Sequence, residues 1–141
     1  MLPNLLWEKI VETDASNIGY GDILKQIDPN SKQEYLIRFY SDKWKGAQLN
    51  YSVVVKEHFA VVKCVLKFQD DLHNQTFLIK TDCSSVQFMF IRDFRHDVSK
   101  QMFARWQAHL APFDFIVQHI KGIDNHLLDF LTREYLSRFQ E

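Results

Sequence analysis

Residues 9–16 read Lys-Ile-Val-Glu-Thr-Asp-Ala-Ser, and this stretch is the strongest single indication of the fold. An apolar run of the β type leads directly into Asp14, and two small residues follow it. Open α/β sheets place ligands and metals at strand ends of this kind. We therefore expect Asp14 to lie at the edge of a sheet with space beside its carboxylate.

The composition predicts one packed domain, residues 1–141. The chain is 46% hydrophobic with twelve Phe, which is typical of a globular core. Its formal net charge of −1 excludes a generally basic nucleic-acid binder, so a polyanion would need a local basic patch or bound metal ions. With no apolar run near the roughly 20 residues of a membrane helix and no signal peptide, we expect a soluble intracellular protein.

Hydrophobic periodicity predicts the element order β-β-β-α-β-α-α-β-α, a mixed sheet with helices packed on it. Short turns join the first three strands into an antiparallel meander. The predicted strands are residues 7–13, 22–27, 34–41, 77–81 and 113–120. The predicted helices are residues 52–72 with Ser52 as N-cap, 84 or 85 to 91, 99 to about 111, and 125–139.

Glu57 does not fit the pattern of the first long helix, because it lies on the apolar stripe. Buried acids are usually paired or bound to metal, although an acid at the margin of the stripe and paired with a lysine is an equal alternative. The opposite stripe is polar and contains Lys56, Lys63, Lys67 and Asp70. Cys64 is predicted to be a core residue, with a reactive thiol as the less favoured alternative.

Two further acids have an ordinary and a functional interpretation. Asp82 ends the fourth predicted strand in a Thr-Asp followed by small residues, which repeats the first strand; it could also assist the start of the next helix. Asp129 on the last helix is explained by an exposed pair with Arg133. Asp22 is interpreted as a solvated strand residue without a role.

Taken together, the acids suggest a common site. Converging carboxylates repel one another, so their ionised state needs cations. Carboxylate oxygens suit Mg²⁺ or Mn²⁺, and two such ions can support hydrolysis of a phosphodiester.

The order of the short motifs resembles the ribonuclease H domain of reverse transcriptases from long-terminal-repeat retroelements and from plant pararetroviruses of the badnavirus and tungrovirus kind. The resemblance covers nearly the whole chain. The matching pieces are Glu12-Thr13-Asp14-Ala15-Ser16 with Gly19-Tyr20-Gly21, Asn50-Tyr51-Ser52 with Lys56-Glu57, Lys80-Thr81-Asp82, Ala104-Arg105-Trp106 with Phe113-Asp114-Phe115, Ile120-Lys121-Gly122 with Asp124-Asn125, and Asp129-Phe130-Leu131-Thr132-Arg133.

The resemblance implies an RNase H-like fold of the α/β class (α+β in some schemes), with three antiparallel strands followed by two parallel ones. It implies that Asp14, Glu57, Asp82 and Asp129 are catalytic ligands of two Mg²⁺ or Mn²⁺ ions. The implied activity is endonucleolytic cleavage of RNA in an RNA–DNA hybrid, leaving 5′-phosphate and 3′-hydroxyl ends. It further implies an upstream polymerase on the same viral polyprotein, no membrane partner, and a location in the host cytoplasm and virion.

Other residues could assist catalysis or contact the substrate, and some of them also have an ordinary interpretation. His126 could assist proton transfer, with a surface histidine as the favoured alternative, and His119 stands one place from the family's usual position. Lys43, Trp44 and Lys45 form a phosphate-facing patch or a solvated loop. The candidate substrate contacts are Ser16, Asn17, Lys43, Lys45, Ser84, Ser85 and Arg105. The competing functions are a catalytically inactive tether of the same fold and, less favoured, a Mg²⁺-dependent phosphatase with Asp14 as nucleophile.

Overall fold

The computed structural model describes residues 2–81 and 100–119. Five strands lie in these ranges: β1 (Glu8–Ala15), β2 (Gly19–Ile27), β3 (Glu34–Lys43), β4 (Thr76–Thr81) and β5 (Asp114–His119). The helices are a 3₁₀ turn (Gly46–Asn50), α1 (Val53–Lys67), α2 (Gln69–Leu72) and α3 (Lys100–Leu110). The predicted helices 84–91 and 125–139 lie outside the described residues.

The strands form one mixed sheet in the order β3-β2-β1-β4-β5. The β1–β2 and β2–β3 pairs are antiparallel, whereas the β1–β4 and β4–β5 pairs are parallel. The predicted mixed sheet is therefore confirmed, with β1 at its centre. The central strand also runs further than expected, because Asp14 and Ala15 still pair with Gly21 and Tyr20.

Helix α1 begins where the sequence predicts. The Ser52 hydroxyl accepts a hydrogen bond from the Val55 amide at 3.3 Å, which satisfies one of the free amides of the first turn. The single predicted helix 52–72 is wrong in one respect: it is divided at Phe68, whose backbone leaves helical geometry (φ −100°, ψ 16°). The Phe68 ring is buried in the core at this point.

The main core lies between the sheet and helices α1 and α3. The hydrophobic effect on this layer is the principal stabilising contribution of the fold. Cys64 is fully buried here, as expected for a structural thiol. The cluster comprises Val11, Leu24, Val55, Val61, Val62, Cys64, Val65, Phe68, Leu72, Phe77, Ile79, Trp106 and Leu110.

Two polar residues are buried against expectation. Asp22 was interpreted as solvated, but it is 0% exposed, because α1 covers it with Cys64 and Lys63 next to its carboxyl group. Lys56 was placed on a solvated stripe, but it is 4% exposed. Helical periodicity shows which residues share a face and does not show that the loop after β1 and the 3₁₀ turn cover part of that face.

Among residues 2–81 and 100–119, no helix is long and apolar enough to cross a membrane.

Candidate active site at the exit of the first strand

Asp14 is the penultimate residue of β1 and is half-buried. Its antiparallel partner is Gly21, which has no side chain. Directly opposed residues of an antiparallel pair project to the same face, so no side chain of β2 lies directly opposite the Asp14 carboxylate. Gly21 therefore favours the expected space beside Asp14, as do the small residues that follow it.

The parallel β1–β4 pair brings the C-terminal end of a second strand next to that of β1. Thr13 pairs with Thr81, which is the last described residue of β4. Neighbouring strands lie about 4.8 Å apart. Asp14 and Asp82 are the next residues in the sequence, and Asp82 lies outside the described residues.

Glu57 lies in the second turn of α1, the helix that packs on β1. It is half-buried, as expected for an acid at the margin of an apolar stripe. Glu57 therefore lies on the helix that covers the central strand.

A neighbouring acid on β1 is already neutralised by a lysine. The Glu12 carboxylate binds the Lys25 ammonium at 3.1 Å, and both side chains are largely buried. Because residues two apart on a strand share a face, Glu12 and Asp14 project on the same side of the sheet. Lys25 therefore neutralises Glu12, two residues before Asp14.

The candidate substrate contacts that fall in the described residues lie near this exit and on α3. Ser16 and Asn17 are exposed in the β1–β2 turn, and Arg105 is exposed on α3. Lys45 is exposed and lies 3.6 Å from Asp42, whereas Lys43 is half-buried at the end of β3. The structure does not describe five of the predicted site residues, so the alternatives for each of them stay open: Asp82, Asp129, Ser84, Ser85 and His126.

Trp44 does not belong to a phosphate-facing patch. Its side chain is buried and its ring lies 4.7 Å from the Tyr20 ring. The patch proposed for residues 43–45 therefore reduces to two lysines, because the indole packs inward against the sheet and α1.

The donor chemistry of the site fits a hard divalent cation. Asp14 and Glu57 supply carboxylate oxygens, which Mg²⁺ and Mn²⁺ prefer. Within residues 2–81 and 100–119, no three His, Cys, Asp or Glu side chains gather closely enough to hold a metal ion. These ranges contain two of the four predicted ligands.

Sequence reasoning singled out Lys56 and Trp44 but missed their contacts with the turn that follows Asp14. The Lys56 ammonium donates hydrogen bonds to the carbonyls of Asn17 and Leu49, at 2.9 and 3.1 Å. The Trp44 indole donates to the Ser16 carbonyl at 2.8 Å. The only sequence signal was the position of Lys56 directly before Glu57.

Comparison with known proteins agrees with this architecture. Residues 7–113 match the family described as the RNase H-like domain found in reverse transcriptase. The chain is 39% identical over 128 residues to the enzymatic polyprotein of Cauliflower mosaic virus (strain D/H), covering 89% of this chain and 19% of the polyprotein. It is 33% identical over 126 residues to the Transposon Tf2-3 polyprotein of Schizosaccharomyces pombe, covering 88% and 9%. The chain thus spans less than a fifth of these relatives.

Solved structures share the fold at low sequence identity. The foamy viral protease-reverse transcriptase in complex with dsDNA superposes with a TM-score of 0.69 at 14% identity, covering 84% of this chain and 24% of that chain. RNase H1 from Halobacterium salinarum NRC-1 gives 0.65 at 14% identity, with 94% and 98% covered. LC11-RNase H1 in complex with RNA/DNA hybrid gives 0.62 at 17% identity, with 90% and 95% covered. The chain therefore belongs to the family of RNase H-like domains found in reverse transcriptases.

Proposed function

We propose that this domain cleaves the RNA strand of RNA–DNA hybrids during reverse transcription, with two Mg²⁺ or Mn²⁺ ions held by Asp14, Glu57, Asp82 and Asp129. The products would carry 5′-phosphate and 3′-hydroxyl ends. The domain, residues 1–141, would act within a larger reverse transcriptase polyprotein in the host cytoplasm and virion.

One observation carries the proposal: the parallel pairing of Thr13 with Thr81. Asp14 and Asp82 follow these two threonines in the sequence, and paired strands such as β1 and β4 lie about 4.8 Å apart. A second carboxylate next to Asp14 would raise the electrostatic cost of ionising both, and bound divalent cations offset that cost.

Glu57 supports the same site from the helical layer. Helix α1 packs on β1, and its N-terminus is fixed by the Ser52 cap. A half-buried acid on this helix has access both to the sheet edge and to water. Asp129 would complete the set from the C-terminal segment.

The chain's own groups have defined roles in the proposed reaction. The four carboxylates would bind and orient, and the side-chain-free position of Gly21 keeps room for the scissile phosphate beside Asp14. When bound, the two metal ions would supply an activated water and stabilise the charge of the displaced oxygen.

Recognition of the hybrid would depend on shape more than on net charge. A chain of net charge −1 has little general attraction for a polyanion, so local contacts from Asn17, Lys45 and Arg105 would position the backbone. Selection of RNA over DNA would use the A-form groove and the 2′-hydroxyls. We expect weak binding by the isolated domain, with an upstream polymerase of the same polyprotein supplying most of the positioning.

The test is incubation of the domain with end-labelled RNA–DNA hybrid in Mg²⁺ or Mn²⁺, at protein in excess over hybrid. We expect internal RNA cuts by the wild type, and none with EDTA or in the Asp14→Asn and Asp82→Asn variants. Asp70→Asn is the matched control, because it neutralises an exposed acid on α2, beyond the C-terminal end of α1.

Two outcomes would refute the nuclease. Hybrid bound by the wild type but left uncut in both metals would favour the inactive tether. Release of phosphate from a small phosphomonoester, with the hybrid left intact, would favour the phosphatase.

A further inference from the structure

The turn that follows Asp14 is closed by its own hydrogen bonds. The Ser16 amide donates to the Gly19 carbonyl at 2.8 Å, and the Ser16 hydroxyl accepts from the Ile18 and Gly19 amides at 3.3 and 3.2 Å. These bonds set the shape of the turn. They do not determine where the turn lies relative to the helix that carries Glu57.

Contacts from two other elements hold the turn in place. Trp44 donates from its indole to the Ser16 carbonyl at 2.8 Å and from its amide to the Ile18 carbonyl at 3.0 Å. Lys56 donates from its ammonium to the Asn17 carbonyl at 2.9 Å. Three consecutive carbonyls of the turn are therefore each bound from outside it.

Lys56 links this turn to the helical layer. Its ammonium also donates to the Leu49 carbonyl in the 3₁₀ turn at 3.1 Å, and its side chain is 4% exposed. A buried ammonium is costly unless hydrogen bonds replace its hydration. Lys56 directly precedes Glu57 on α1, so one side chain connects the exit of β1, the 3₁₀ turn and the helix that bears Glu57.

We propose that Lys56 is a positioning residue that fixes the spacing between Asp14 and Glu57. The inference rests on the proposed function, since the spacing matters only if the two carboxylates share metal ions. Without the ammonium, the carbonyls of Asn17 and Leu49 lose this donor, and the turn keeps only the two hydrogen bonds from Trp44. Groups that orient metal ligands typically change metal affinity by about 10- to 100-fold when they are removed.

Lys9 provides a matched control on β1, the strand that also contains Asp14. It is 1% exposed, and its ammonium donates to the carbonyls of Asn4 and Trp7 at 2.5 and 2.7 Å. Lys9 and Asp14 are separated by about 16 Å, from roughly 3.3 Å per strand residue. Lys9→Met thus removes the same kind of buried lysine far from the carboxylates.

The experiment compares wild type, Lys56→Met, Lys56→Arg and Lys9→Met. Calorimetric titration with Mn²⁺ alone measures metal affinity without substrate, and amide hydrogen exchange at Ile18 and Gly19 reports on the turn. We expect Lys56→Met to bind Mn²⁺ about 10- to 100-fold more weakly and to exchange these amides faster. Lys56→Arg, which keeps charge and donors, should restore most of the affinity; Lys9→Met should lower the melting temperature with wild-type affinity.

Wild-type Mn²⁺ affinity in Lys56→Met, or an equal loss in Lys9→Met, would overturn the positioning role. If Lys56→Met does not fold, the Lys56→Arg variant decides. Wild-type exchange of the two amides together with wild-type Mn²⁺ affinity supports the role, and a loss of affinity at unchanged exchange refutes it. A wild type that neither binds Mn²⁺ nor cuts hybrid would instead refute the proposed function, and the hydrogen-exchange comparison would still test the contact.

Discussion

His58 gives this domain a pH-dependent stability. It follows Glu57 on α1 and is only 2% exposed. Burial lowers the pKa of the His58 imidazole from 6.5 to about 4, because the charged form loses its hydration. Between these values the unfolded chain binds a proton that the folded protein does not. The free energy of unfolding therefore falls as the pH is lowered through this window, and the His58 contribution is complete above it.

The size of the effect follows from the two pKa values. They differ by about 2.5, and each pH unit between them is worth about 1.4 kcal/mol, so the full effect is about 3.5 kcal/mol. At about pH 5 the unfolded state is mostly protonated at this site and the folded state mostly neutral, which gives a loss of roughly 2 kcal/mol.

Urea denaturation of wild type and His58→Gln from about pH 8 to about pH 4 tests this. Glutamine does not titrate, so the difference between the two free energies of unfolding should shift by roughly 2 kcal/mol in favour of the variant at about pH 5. His73→Gln, which removes an exposed histidine, controls for the loss of an imidazole. Parallel pH curves for wild type and His58→Gln would refute the reasoning.

Two further predictions concern Asp22 and the N-cap of α1. Burial raises the pKa of the Asp22 carboxyl well above its usual value, partly offset by a hydrogen bond from the Cys64 thiol and by the charge of Lys63. The folded state thus keeps a proton that the unfolded chain releases, so the contribution of Asp22 to stability falls as the pH rises above 3.8, opposite in sign to that of His58. Asp22→Asn should remove this fall; an unchanged slope in urea denaturation between about pH 5 and about pH 8 would contradict it. Ser52→Ala should lower the free energy of unfolding by about 1 kcal/mol, measured by the same method, since the Val55 amide loses its acceptor; Ser52→Asp, which keeps one, should cost less.

Much of the fold could be predicted because its signals are local. The short turn between the second and third strands and the Ser52 cap each depend on a few neighbouring residues, and the structure confirms both. The break at Phe68 could not be predicted, because the residues on both sides are compatible with a continuous helix.

Part of the candidate site could also be predicted from the sequence, and part could not. Asp14 and Glu57 could be identified from residue type and register alone, and their elements meet as expected. Their ligand role, with Asp82 and Asp129, stays a prediction. The burial of Asp22 and His58 could not be read from the chain, because a polar residue within a strand or helix has the same local pattern whether water or a packed layer lies beside it.

Motifs and short-range periodicity are sufficient to predict the family, the order of the strands along the chain and the acid at the exit of β1. The surroundings of that acid depend on the tertiary structure. The Gly21 position opposite Asp14, the Thr13–Thr81 register and the Lys56 bonds to Asn17 and Leu49 all join residues of different segments of the fold. Such contacts form because the sheet and α1 bury a common apolar layer, and burial of that layer brings together polar groups that no local pattern relates.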